Sequence, residues 1–73
     1  MSTSSISVLD VVALTADLPE LTLGRGQVGT VVEKLAPGVF EVEFSDEKGR
    51  TYAVATLQAE HLLPLRFEAA PSA

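Results

Sequence analysis

The sequence contains no cysteine, one histidine and no tryptophan, and its aromatic residues are three phenylalanines and one tyrosine. A chain without thiols forms no disulfide, offers no thiolate to a metal ion and has no thiol nucleophile. Grooves for proline-rich peptides and cages for methylated lysine are lined by several aromatic side chains. The shortage of aromatics therefore disfavours both kinds of recognition.

Positive charge is also scarce, because five Lys and Arg residues stand against ten Asp and Glu residues, for a net charge of -5. Binding to phosphate backbones depends on clustered basic residues, and here they are scattered. No apolar run approaches the ~20 residues of a membrane-spanning helix, and the first residues lack the pattern of a signal peptide. We expect a cytoplasmic protein that binds neither nucleic acid nor membranes, and whose partner has a basic surface.

Residues suited to catalysis or metal binding are few. His61 follows Glu60, an arrangement of base and orienting carboxylate, but no nucleophile lies near them in the sequence. The acidic residues around Glu41 and Glu43 lack the spacing of a calcium-binding loop. We expect no catalytic, metal-binding or cofactor-binding residue, and therefore not an enzyme.

The 73 residues suffice for one domain with a modest core. Short apolar runs separated by turn residues are typical of an all-β fold. They predict a small five-stranded SH3-like barrel over residues 7–67, with a short helical turn at 58–61 before the last strand. Residues 1–6 and 68–73 are predicted to be disordered tails. The predicted strands are 8–15, 27–35, 39–44, 51–57 and 62–67.

Alternation in the third run predicts which side chains face the core. Phe40, Val42 and Phe44 would point inward, and Glu41 and Glu43 outward. The leucines of the loop at 16–25 are expected to fold back over the core. Glycine is expected where a turn, a bulge or a close backbone approach requires it; these glycines are Gly24, Gly26, Gly29, Gly38 and Gly49.

Four segments together resemble a known family. They are D-V-V-A-L at 10–14, G-R-G-Q-V-G-T-V-V at 24–32, F-E-V-E-F at 40–44 and G-R-T at 49–51. In this order they resemble the small bacterial family called domain of unknown function 4926. The glycine-rich second strand is also similar to KOW-type and nitrile-hydratase β-subunit-like SH3 barrels. These resemblances imply a fold but no biochemical activity, because functions on it vary widely.

The charge pattern favours a protein-interaction module, such as an accessory, inhibitor or antitoxin-like partner of a more basic protein. An acidic strand face beside a leucine-rich end of the chain motivates this hypothesis. Two alternatives remain: a barrel that associates with itself, whose leucines could equally plug the barrel mouth, and a KOW-like domain associated with RNA or the ribosome. The candidate surface residues are Glu33, Glu41, Glu43, Tyr52, Leu62, Leu63 and Leu65.

Overall fold

Five antiparallel strands form one sheet in the computed structural model, which describes residues 6–69. The strands follow the order β4-β3-β2-β1-β5 across the sheet. Two 3-10 turns, Pro19–Leu21 and Ala59–His61, lie after β1 and between β4 and β5. The strands are β1 (Val11–Leu14), β2 (Val28–Ala36), β3 (Val39–Ser45), β4 (Thr51–Gln58) and β5 (Leu62–Pro64).

The all-β prediction is confirmed, including the helical turn before the last strand. Within residues 6–69 no ladder joins β4 to β5, so the SH3-like sheet remains open between these two strands. No helix in this part of the chain is long and apolar enough to cross a membrane. Of the tails predicted at 1–6 and 68–73, residues 1–5 and 70–73 lie outside the described residues.

The first and last strands are shorter than their apolar runs. Leu9 has a φ of 80°, which is turn geometry, and β1 therefore begins only at Val11. The last strand ends at Pro64, whose ring nitrogen carries no hydrogen to donate. Apolar character alone does not reveal either boundary, because both depend on backbone geometry.

The core lies on the inner face of the sheet. Phe40, Val42 and Phe44 are buried there, which confirms the inward face predicted for β3. Ile6 corrects the sequence analysis, which placed it in the N-terminal tail, because it is only 8% exposed and packs in the core. The buried cluster contains Ile6, Val12, Leu14, Leu18, Leu23, Val31, Phe40, Val42, Phe44, Ala55, Leu57 and Leu62.

The loop at 16–25 folds back over this core as predicted. The backbone amide of Leu18 donates to the carbonyl of Leu23 at 2.8 Å, and the amide of Leu23 donates to the carbonyl of Leu18 at 3.2 Å. Both leucine side chains are buried, whereas Leu21 at the 3-10 turn is exposed. The loop therefore closes one side of the core and still presents an apolar side chain to solvent.

Gly29 lies at a close approach of β2 to β3. A Cβ at this position would lie 2.7 Å from Val42 Cγ1 and 2.9 Å from the carbonyl oxygen of Glu43. The second contact is to backbone, which cannot move aside as a flexible side chain could. Gly26, Gly38 and Gly49 instead have positive φ, as their predicted turn roles require.

We expect Gly29→Ala to lower the free energy of unfolding by about 1–3 kcal/mol, because the added methyl overpacks the contact between strands. Gly24→Ala is the matched control, since its Cβ would meet only ordinary contacts at 3.6 Å. Urea denaturation of both variants measures the difference. Equal stability of the two variants would contradict the close approach at Gly29.

Candidate interaction surface

The outer face of β2, β3 and β4 carries the acidic residues singled out from the sequence. Glu41 on β3 lies opposite Glu33 on β2 and Thr56 on β4. Glu43 lies opposite Thr30 on β2 and Val54 on β4 in the same way. Residues directly opposite one another in a ladder share a face of the sheet. The three glutamates therefore form one surface, called here the acidic patch (Glu33, Glu41 and Glu43).

No Lys, Arg or His side chain of residues 6–69 forms an ion pair with the acidic patch. Within residues 6–69 the ion pairs are Arg50–Asp46 at 3.5 Å and His61–Glu60 at 3.7 Å, and neither includes a patch residue. Like charges placed directly opposite each other destabilise a sheet. The opposed pair Glu33 and Glu41 is therefore a feature that folding alone does not favour.

A second surface lies on the outer face of β5, β1 and β2. Ala13 on β1 pairs with Leu63 on β5 and with Val28 on β2, so the three side chains form a row. Leu63 is 54% exposed and Val28 is 43% exposed. The amide of Leu65 donates to the carbonyl of Val11 at 2.9 Å. Leu65 and Val11 therefore form a second pair beside this row, and both side chains are half-buried. The apolar patch comprises Val11, Ala13, Val28, Leu63 and Leu65.

The two patches adjoin on one continuous face. Val11 lies opposite Thr30, and Thr30 lies opposite Glu43. Adjacent strands are ~4.8 Å apart, so Val11 and Glu43 are separated by roughly 10 Å. A single partner surface can therefore contact both patches at once.

Of the two remaining predicted surface residues, one is buried and the other is exposed. Leu62 is only 6% exposed and belongs to the core, which corrects its assignment to the surface. Tyr52 is half exposed and lies where the β3–β4 register shifts. Its ring lies 6.4 Å from that of Phe44, and its hydroxyl accepts a hydrogen bond from Gln27 Nε2 at 3.0 Å. Tyr52 is thus fixed to the margin of the core.

The sequence analysis missed three members of the apolar patch, namely Val11, Ala13 and Val28. Both faces of β1 carry apolar side chains, so alternation in this strand does not separate an inner from an outer face. The register supplies that distinction, because Val12 and Leu14 are buried while Val11 and Ala13 are half-buried.

A shallow groove of about 230 Å³ lies near the single histidine. It is bounded by the 3-10 turn after β1 and by the end of β4, and its lining residues are Leu18, Glu20, Leu21, Thr56, Leu57, Gln58 and His61. The described part of the chain contains no group of three or more His, Asp or Glu residues able to hold a metal ion. The groove thus combines leucine side chains with polar ones, and its titratable lining residues are Glu20 and His61.

The fold and surface define a small all-β, SH3-like domain with an amphipathic outer face. The family model for Domain of unknown function (DUF4926) matches residues 8–64, and the chain belongs to this family. No curated protein matches the chain, and no solved structure matches it.

Substitution of neighbouring leucines tests the division between core and surface. We expect Leu62→Ala to lower the free energy of unfolding by about 2–5 kcal/mol, because it leaves a cavity in the core. Leu63→Ala removes the same atoms from the outer face and should change it by less than about 0.5 kcal/mol. Thermal and urea denaturation measure both values. A large loss for Leu63→Ala would show that its side chain is a core residue.

Proposed function

We propose that this domain is a non-catalytic protein-interaction module, and that its outer face binds a partner with a basic surface. The observation that carries the proposal is the acidic patch adjoining the apolar patch on one face of the sheet. Interfaces commonly combine an apolar centre with a polar, charged rim. This face supplies both parts within a few strands.

The two patches would contribute in different ways. Burial of Leu63 and Val28 removes apolar surface from water, which favours association. The glutamates act over a longer range, since complementary charge accelerates encounter and selects against acidic partners. Binding should therefore weaken as salt concentration rises, but a salt-resistant apolar contribution should remain.

The net charge of -5 favours a basic protein over nucleic acid as the partner. A small acidic domain of this kind can cover a basic site on a larger protein, which is the role of an accessory protein, an inhibitor or an antitoxin. A cytoplasmic location agrees with a chain that contains no cysteine.

The test starts by capturing partners of the tagged protein from a lysate of its native host, after nuclease treatment. The decisive step uses the captured protein in purified form, titrated against the wild-type domain and the variants Glu41→Lys and Leu63→Ala. We expect each variant to bind at least about tenfold more weakly, a change of ~1.4 kcal/mol. We also expect wild-type affinity to fall with added salt.

Glu47→Lys is the matched control, because it makes the same change in charge as Glu41→Lys on the exposed turn between β3 and β4. It should retain more of the affinity than Glu41→Lys does. Equal losses from both reversals, or an affinity that is independent of salt, would contradict a specific role for the acidic patch. Recovery of the domain alone, with a dimer in light scattering, would instead favour self-association through the apolar patch.

A further inference from the structure

The two outer strands of the sheet differ sharply in how well their edges are protected. The last strand, β5, spans three residues and ends in Pro64. Short edge strands and proline are two common ways in which proteins prevent further strand pairing. β4 spans eight residues, Thr51–Gln58, and contains no charged residue, no proline and no glycine. By these criteria its edge is open to another strand.

The register shows which backbone groups of β4 face this edge. The amide of Ala59 donates to the carbonyl of Gly38 at 2.9 Å, so this opposed pair is hydrogen-bonded. Hydrogen-bonded pairs recur at every second position of an antiparallel ladder. Leu57 and Ala55 therefore bond to β3, and the backbone groups of Val54 and Thr56 point away from it.

Those outward groups have no protein partner in the described structure. Among residues 6–69, no backbone or side-chain hydrogen bond satisfies the N–H or C=O groups of Val54 and Thr56 on the side away from β3. Each of the two residues therefore presents a donor and an acceptor to water. Such a row is the template on which an extended peptide adds to a sheet.

The surroundings of the edge indicate the chemistry of an added strand. Val54 and Thr56 lie opposite Glu43 and Glu41, so residues added beside them would share the outer face with these carboxylates. The distance from the new strand to β3 is roughly 10 Å, which a lysine and a glutamate side chain together span. Basic residues are therefore favoured on the outer side of the added strand.

The opposite side of an added strand would meet the groove beside the end of β4. Leu18, Glu20 and Leu21 of the loop after β1 line this groove, and the two leucines supply apolar surface. Successive side chains of a strand point to opposite faces. An alternating sequence of basic and apolar residues would thus place its positive charges near the glutamates and an apolar side chain in the groove.

We propose that the open edge of β4 is a strand-addition site, which binds an extended segment of alternating basic and apolar residues supplied by the partner protein. The inference relies on the proposed function for the positive charge of that partner. A second copy of this chain is a poorer occupant, because each copy carries a net charge of -5.

The experiment uses a capped synthetic peptide of three Lys-Val repeats, titrated into the isotope-labelled protein. We expect saturable binding and slower hydrogen exchange at the amides of Val54 and Thr56. The control peptide has the same sequence with the backbone amide nitrogens of its lysines methylated. In the proposed register these backbone nitrogens face β4, so methylation removes their ladder hydrogen bonds and keeps the side-chain charge. It should bind at least about tenfold more weakly.

Thr56→Lys should weaken binding of the unmodified peptide by about tenfold or more, because it places a positive charge on the edge. Ser7→Lys is the control, because it makes the same change in charge at an exposed position on another part of the chain. The Ser7→Lys variant should bind the unmodified peptide more tightly than the Thr56→Lys variant does. Circular dichroism confirms that both variants remain folded.

Three outcomes would overturn the strand-addition site. Equal binding of the methylated and unmodified peptides would show electrostatic attraction without a ladder, and would leave the proposed function intact. Absence of binding to the unmodified peptide would remove the site itself. Protection of Val54 and Thr56 that rises with protein concentration, in the absence of peptide, would identify a second copy as the occupant.

Discussion

The contact on which the sheet depends is the close packing of Gly29 against Val42 and Phe44. Gly29 lies opposite Phe44 on β3 and opposite Val12 on β1, so it connects the two halves of the sheet. Val12, Val42 and Phe44 are fully buried around it. A side chain at this position would separate β2 from β3 and open the centre of the core. The fold therefore favours glycine at position 29, because any larger residue would place a Cβ against Val42 and Glu43.

A core of this size cannot enclose all the apolar residues of the chain. Small domains bury a smaller share of their surface than large ones, and isolated exposed apolar residues are therefore common. In this domain several of them, such as Leu63 and Val28, instead lie together beside glutamates that form no ion pair within residues 6–69. The grouping, rather than the exposure of any one residue, is what distinguishes this face.

Sequence patterns predicted the parts of the structure in which one face is polar. The alternation in β3 identified Phe40, Val42 and Phe44 as core, and the structure confirms it. The patterns failed where both faces are apolar, because consecutive leucines give no indication of which side chain turns inward. Leu62 and Leu63 illustrate this, since pairing with β1 decides that the first is buried and the second exposed.

Ile6 was misplaced for a different reason. Ile6 has a serine on each side and lies just before the first apolar run, yet it packs into the core cluster. The position of Tyr52 depends on a register shift between β3 and β4. A shift of one residue changes the face to which a side chain points. Contacts made by single residues and irregularities of register depend on tertiary packing, which sequence periodicity does not record.

Charge and edge protection are connected in this molecule. An uncharged edge strand such as β4 exposes a chain to pairing with its own copies, and many proteins prevent this with a lysine on the strand itself. Here the negative charge lies one strand away, at Glu41 and Glu43, and on the molecule as a whole. Repulsion between acidic copies can limit self-pairing without placing a charge on the edge. The same field would attract the basic strand proposed above, so one electrostatic feature would both discourage aggregation and select a partner.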